Sequence, residues 1–223
     1  MCDLQLVIFD CDGVLVDSEV ISNRVLAEML TAEGLPTTLT QARRGYQGML
    51  LADVVSRAGE KLGRAFPEDW LARYEGERDV AFHRELEPVA GAAETVKRVT
   101  AAGIGVCVAS QGKLSKTRLS LTLTGLDHLF PEPARFSAYS VARGKPAPDL
   151  FLHAAATMGA APAECVVVED TPSGVTAAVA AGMRSMGYAA DSDEQALRDA
   201  GATEILRSLD ELPRVLGLHG HPE

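Results

Sequence analysis

The sequence predicts an α/β fold, a doubly wound parallel sheet broken once by a helical insertion, and three observations carry that expectation. Short, continuously apolar runs recur along the chain and end in polar or acidic residues. Helix-like segments that stop at a glycine stand between them. The rhythm fails in a single place, residues 16–85.

The apolar runs are residues 4–9 before Asp10, 104–109 before Ser110, 166–168 before Glu169, and the weaker 184–188. A strand that is apolar throughout, rather than alternating, has to be covered on both faces, which is the condition of a parallel sheet flanked by helices. Helices are expected at 92–102, 148–158 and 173–181. They are followed by Gly103, Gly159 and Gly182, the residue type best suited to the turn after a helix. Strand alternating with helix gives the doubly wound arrangement.

Residues 16–85 hold no convincing strand but show a helical apolar spacing, as in Val25, Met29 and Leu30, and again in Val54, Val55 and Ala58. Pro88 and Gly91 mark the return to the sheet. The expected organisation is therefore a core made of residues 1–15 and 86–223, with an α-helical domain of residues 16–85 inserted after the first strand. The last residues, from His219, read as a frayed tail.

Composition excludes several classes. The 223 residues are 47% hydrophobic and 23% charged, which suits a globular protein able to bury its own core without disulfide staples. No stretch approaches the roughly 20 apolar residues of a membrane span. With 31 acidic against 21 basic side chains the formal charge is −10, which opposes sequence-independent binding of nucleic acid. The start, Met1-Cys-Asp-Leu-Gln, has neither the basic stretch nor the cleavage site of a secretory signal, so a cytoplasmic location is expected. Cys2, Cys11, Cys107 and Cys165 contain no C-x-x-C pair and are expected to be thiols rather than a zinc site or a disulfide frame. No coiled-coil seam appears, and a monomer is the expectation.

The chemistry concentrates at the strand ends. Asp10-Cys-Asp12-Gly13 sets two carboxylates two residues apart at the carboxyl end of a buried strand, where open α/β sheets bind ligands. Glu169-Asp170-Thr-Pro-Ser-Gly174 brings two more to another strand end. Carboxylates about 4 Å apart repel by roughly 4 kcal/mol per pair at an effective dielectric near 20, so a hard cation is the natural compensation, and Mg²⁺ fits an oxygen-only donor set. Ser110-Gln111-Gly112-Lys113 supplies a hydroxyl, backbone N–H groups and a cation suited to a phosphate. Gly144-Lys145-Pro146-Ala-Pro148 fixes a lysine in a proline-stiffened loop.

These four motifs, in this order, resemble those of the haloacid dehalogenase superfamily of phosphotransferases, in the branch that carries a helical cap and includes β-phosphoglucomutase, phosphoglycolate phosphatase and sugar-phosphate phosphatases. The resemblance runs from Val7 through Gly182 and is weakest in the cap. It implies a Rossmann-like core under an inserted cap, Asp10 as a nucleophile that forms an aspartyl-phosphate, and Asp12 as general acid and base. It also implies that Ser110 and Lys145 hold the transferring phosphoryl group, and that Mg²⁺ is bound by Asp10, the Asp12 carbonyl, Asp170 and Glu169. Gly48, Gln111 and Lys113 are the expected substrate-binding positions.

Two departures bear on the branch. Ser22 stands where the mutases carry a cap histidine, and Met49, Leu50 and Leu51 follow the Gly48 turn where a phosphate-binding arginine is expected. Both favour a phosphatase acting on a small phosphorylated metabolite, a sugar or sugar-acid phosphate, over a phosphomutase. The retained second aspartate of Asp-x-Asp disfavours a dehalogenase. A noncatalytic phospho-receiver module is a more distant alternative, since such modules lack the insertion and the Asp-x-Asp spacing.

Overall fold

In the computed structural model, which describes residues 4–218, six parallel strands form one sheet. They are β1 (Leu6–Phe9), β2 (Gly105–Ser110), β3 (Arg135–Ser137), β4 (Cys165–Glu169), β5 (Arg184–Tyr188) and β6 (Glu204–Leu206), in the spatial order β3-β2-β1-β4-β5-β6. The winding direction reverses at β1, between β2 and β4, which makes that point the place where an open α/β sheet offers a crevice. Phe9 pairs with Val108 on one side and Val168 on the other, so the ends of β1, β2 and β4 are level.

Alternation along β1 sends successive side chains to opposite faces. Val7 and Phe9 join one apolar cluster, while Leu6 and Ile8 join the other. The second face is closed by α7 (Asp149–Met158) and α8 (Pro172–Ala180), through Leu150, Phe151, Ala154, Ala177 and Ala178. The first face is covered by α5 (Ala92–Ala101), α6 (Leu114–Leu123) and α10 (Leu212–Val215); α9 (Glu194–Asp199) leads into β6. Both faces of the sheet are thus covered, as the continuously apolar strands require.

Five helices stand between β1 and β2, and four of them precede the return to the sheet at Pro88: α1 (Glu19–Ala32), α2 (Leu39–Tyr46), α3 (Leu51–Leu62) and α4 (Trp70–Glu85). The start of α2 is fixed by a capping box in which Thr38 Oγ1 accepts from the Gln41 N–H and Gln41 Oε1 accepts from the Thr38 N–H. The chain leaves the sheet and returns to it side by side: Val16 bridges Pro88, the Asp17 N–H donates to the Glu87 carbonyl at 3.0 Å, and the Val89 N–H donates to the Leu15 carbonyl at 3.0 Å.

Two strands escaped the sequence reading. β3 and β6 are three residues each, begin with Arg135 and Glu204, and sit at the two edges of the sheet, where no second neighbour demands an apolar run. Cys11, Cys107 and Cys165 are buried free thiols, whereas Cys2 and the tail from His219 lie outside the described residues. Among the described residues no helix is long and apolar enough to cross a membrane.

Candidate active site

Asp10 follows the last residue of β1, Ser110 and Glu169 end β2 and β4, and Asp170 follows β4, so the winding of the sheet delivers all four to one edge. Lys145, from the loop before α7, reaches under them. Its Nζ donates to Asp10 Oδ1 at 2.5 Å, to Glu169 Oε1 at 2.6 Å and to the Ala109 carbonyl at 3.1 Å. Its side chain is 3% exposed, which makes this a buried cation held between two buried carboxylates. Burial alone would lower the Lys145 pKa, but Asp10 and Glu169 outweigh it and the ammonium is held above its ordinary range. Burial pushes the Asp10 carboxyl up to about 7, against Lys145, with Glu169 and Asp12 adding to the rise.

Gln111 braces the lysine loop: its Oε1 accepts from the Lys145 N–H at 2.9 Å and its Nε2 donates to the Lys145 carbonyl at 3.3 Å. The expected substrate-binding residue therefore positions Lys145, although it also borders the cavity above. Ser110 Oγ accepts from the Gly112 N–H at 3.0 Å and approaches Asp12 Oδ2 at 3.4 Å, so that amide is already engaged within the turn.

Carboxylate oxygens of Asp10, Glu169 and Asp170 can all lie within 4.8 Å of one another. Glu169 is committed, since besides Lys145 it accepts from the Thr171 N–H and Oγ1 at 2.9 and 2.8 Å. Asp170 is not: its Oδ1 is buried without a hydrogen-bond partner, and burial followed by Glu169 and Asp10 drives its pKa well above the usual carboxylate range. An orphaned buried oxygen beside two further carboxylates fits a hard divalent cation such as Mg²⁺. The surroundings are shaped around this cluster. Gly13, at φ 75°, and Gly174 lie so close to the Asp170 and Glu169 carboxylates that a Cβ at either would overlap them. Thr171 also caps α8 by accepting from the Gly174 N–H at 3.1 Å, so one threonine fixes both the helix start and Glu169.

The Asp12 carboxylate has other partners. Its Oδ1 accepts from Ser18 Oγ and from Lys116 Nζ, each at 2.5 Å. Burial would raise its pKa, but Lys116, Ser18 and the more distant Arg78 prevail and hold it below the usual value. Lys116, on α6, went unnoticed in the sequence. Lys113 is 46% exposed and pairs with Glu75 of α4 at 2.6 Å, bridging the sheet side of the cavity to the inserted helices.

The inserted helices roof the same cavity. Glu19, Ser22, Tyr74 and Arg78 border it from α1 and α4, and the Gly48 turn lies against Thr171, with its Cβ position 3.7 Å from Thr171 Cγ2. Burial, then Asp12, raises the Glu19 carboxyl to about 7, and its Oε2 accepts from Asn23 Nδ2 at 2.9 Å.

Comparison with known proteins gives the family and the fold. The family model described as haloacid dehalogenase-like hydrolase matches residues 4–182. The 6-phosphogluconate phosphatase of Escherichia coli is 29% identical over 221 residues, covering 99% of this chain and 98% of that protein. Hexitol phosphatase A of the same organism is 30% identical, covering 92% and 91%. Among solved structures, a family hydrolase from Deinococcus radiodurans with bound phosphate and sodium covers both chains completely, at 31% identity and a TM-score of 0.80.

Proposed function

The chain belongs to the haloacid dehalogenase-like hydrolases, as a phosphoric monoester hydrolase, and we propose that it is a Mg²⁺-dependent phosphatase of small phosphorylated metabolites that works through an aspartyl-phosphate. The observation that carries this reading is the buried Asp10 carboxylate, clamped by Lys145 and set beside the unpartnered Asp170 oxygen. In this reading residues 16–85 are a cap over a core of residues 1–15 and 86–223, and the protein acts in the cytoplasm as a monomer.

Asp10 attacks phosphorus in line while the bond to the leaving oxygen breaks, leaving the phosphoryl group on the carboxylate. Lys145 opposes the protonation that burial favours at Asp10 and offsets charge on the transferring oxygens, with Ser110 as a second donor to them. Asp12 protonates the departing alkoxide. Ser18 and Lys116 favour its ionised form, and the arriving phosphoryl charge opposes them, which is what lets Asp12 carry a proton for the first step. It then takes a proton from the water that attacks phosphorus, freeing inorganic phosphate and Asp10. Asp10, Asp170 and the Asp12 carbonyl would hold Mg²⁺, with Glu169 contributing directly or through water, and the ion would supply a positive charge for the phosphoryl oxygens. The roof over the cavity limits access of bulk water to the acyl-phosphate.

Hydrolysis is favoured over phosphoryl transfer between positions of a sugar because Ser22 offers a hydroxyl where a mutase needs an imidazole. Phosphate release from a panel of phosphorylated sugars, polyols and sugar acids tests the proposal. Turnover is expected to require Mg²⁺ and to fall by at least ~10⁴-fold in Asp10→Asn. Unchanged turnover in that variant overturns the nucleophile, and bisphosphate-stimulated isomerisation of β-glucose 1-phosphate without phosphate release overturns the phosphatase.

A further inference from the structure

Four cationic side chains border the cavity, and three are already spent: Lys113 on Glu75, Lys116 on Asp12, and Lys145 on Asp10 and Glu169, at 2.5–2.6 Å. Arg78 differs. On α4, Trp70, Tyr74, Arg78 and Phe82 recur every four residues, and all four are buried, so a charge interrupts an otherwise aromatic stripe. The guanidinium lies 5.8 and 5.7 Å from the Tyr74 and Phe82 ring centroids, within reach of a cation–π contact with each.

Both Nε and Nη2 of Arg78 donate to one oxygen, Asp79 Oδ1, at 3.0 and 2.7 Å, while Nη1 has no partner among the described residues. Arg78 as a whole is 7% exposed. A mostly buried guanidinium with N–H groups unspent on protein is ready for an incoming acceptor, and the opening on which it borders is the cavity above Asp10. Ser22 Oγ, across that cavity on α1, is likewise buried and unpartnered.

Building on the phosphatase reading, we propose that Arg78 is a specificity-determining residue whose Nη1 binds a carboxylate at the end of the substrate remote from the phosphoryl group, so that phosphorylated sugar acids are the preferred class. A single negative charge suits the site better than a second phosphate. Asp79 already balances part of the guanidinium charge, and the other bordering cations are paired, which leaves little positive charge for a dianion.

The test compares kcat/KM for 6-phosphogluconate and glucitol 6-phosphate, open six-carbon chains that differ at C1, carboxylate against hydroxymethyl. The native enzyme is expected to prefer the acid by about tenfold or more. In Arg78→Gln the preference collapses toward unity, through a raised KM for the acid, and Arg78→Lys retains an intermediate preference. A native enzyme without the preference, or an Arg78→Gln variant that loses both activities by one factor, overturns the proposal. Gluconate inhibiting aryl phosphate hydrolysis by the native enzyme more strongly than glucitol supports it without relying on a folded variant, and equal inhibition counts against it. The aryl phosphate assay also separates the two layers of inference: no hydrolysis defeats the phosphatase reading, whereas hydrolysis with no acid preference defeats the role of Arg78 alone.

Discussion

Beneath the cavity, Lys145 joins Asp10 and Glu169 in a buried set where each of those charges has an opposite within 2.6 Å. Above it, Arg78 and Ser22 keep polar atoms that nothing in the described protein satisfies. The floor rests on strand ends locked by sheet register, and the roof on faces of helices inserted between two strands. A rigid floor, in which Lys145 balances Asp10 and Glu169 and leaves only Asp170 open to a cation, suits chemistry common to every phosphate ester, since preorganised charge needs no help from the rest of the substrate. An unsatisfied roof is balanced by a suitable ligand, and that is how a pocket discriminates.

The sharpest way to break this contrast is to unbalance the floor. Lys145→Met leaves Asp10 and Glu169 buried without their cation, and we expect a loss of about 3–5 kcal/mol in denaturant titrations together with at least a ~10³-fold fall in kcat. Retention of either would show the floor to be less interlocked than its geometry states.

Lys116→Met acts between floor and roof. Without that ammonium, burial is left to raise the Asp12 pKa, so the acidic limb of the kcat profile is expected to move to higher pH, with kcat lowered about tenfold at neutrality. A profile that stays in place would detach Lys116 from Asp12.

A smaller effect concerns the cation site. Asp10 and Asp170 have pKa values raised in the folded state, so the folded protein binds protons more tightly than the unfolded chain. The stability they contribute is complete below the ordinary carboxylate pKa of about 4 and is lost as pH rises through about 7. With a chelator present, the thermal midpoint is expected to fall by a few degrees between pH 5 and pH 8, and Mg²⁺ is expected to restore it at pH 8. A chelated protein whose midpoint rises over that range contradicts the assignment.

The smallest change is expected at the exposed bridge between roof and floor. Glu75→Gln removes the partner of Lys113, and pairs this exposed are worth under about 1 kcal/mol, so stability and kcat/KM should both stay close to native. A large loss would mean that the pair governs closure.

The same contrast explains what could be read from the sequence. The inner strands announce themselves because burial on both faces forces an unbroken apolar run, and Asp10, Asp12, Ser110, Glu169 and Asp170 follow from the place where those runs stop. β3 and β6 are too short and too polar at their first residues to do so. Lys113 and Gln111, expected at the substrate, both border the cavity, and each also has a protein partner that the sequence does not reveal, Glu75 for the first and the Lys145 backbone for the second. The two missed cations each left a faint signal. Lys116 lies in the first turn of α6, where the helix dipole disfavours a positive charge. Arg78 occupies a stripe that four-residue spacing marks as aromatic. The first signal names no partner, because Asp12 lies 104 residues before Lys116 in the chain, and the second does not show that the stripe borders the cavity.

The paired crossings at Val16–Pro88, Asp17–Glu87 and Leu15–Val89 have an evolutionary reading. Because the inserted segment departs and returns through neighbouring backbone, its replacement by a shorter or longer helical module would leave the sheet's pairing partners where they are, at an entropic cost that grows only slowly with length. The roof is thus an exchangeable cassette on a paired seam, built so that what is recognised can change without re-inventing the floor.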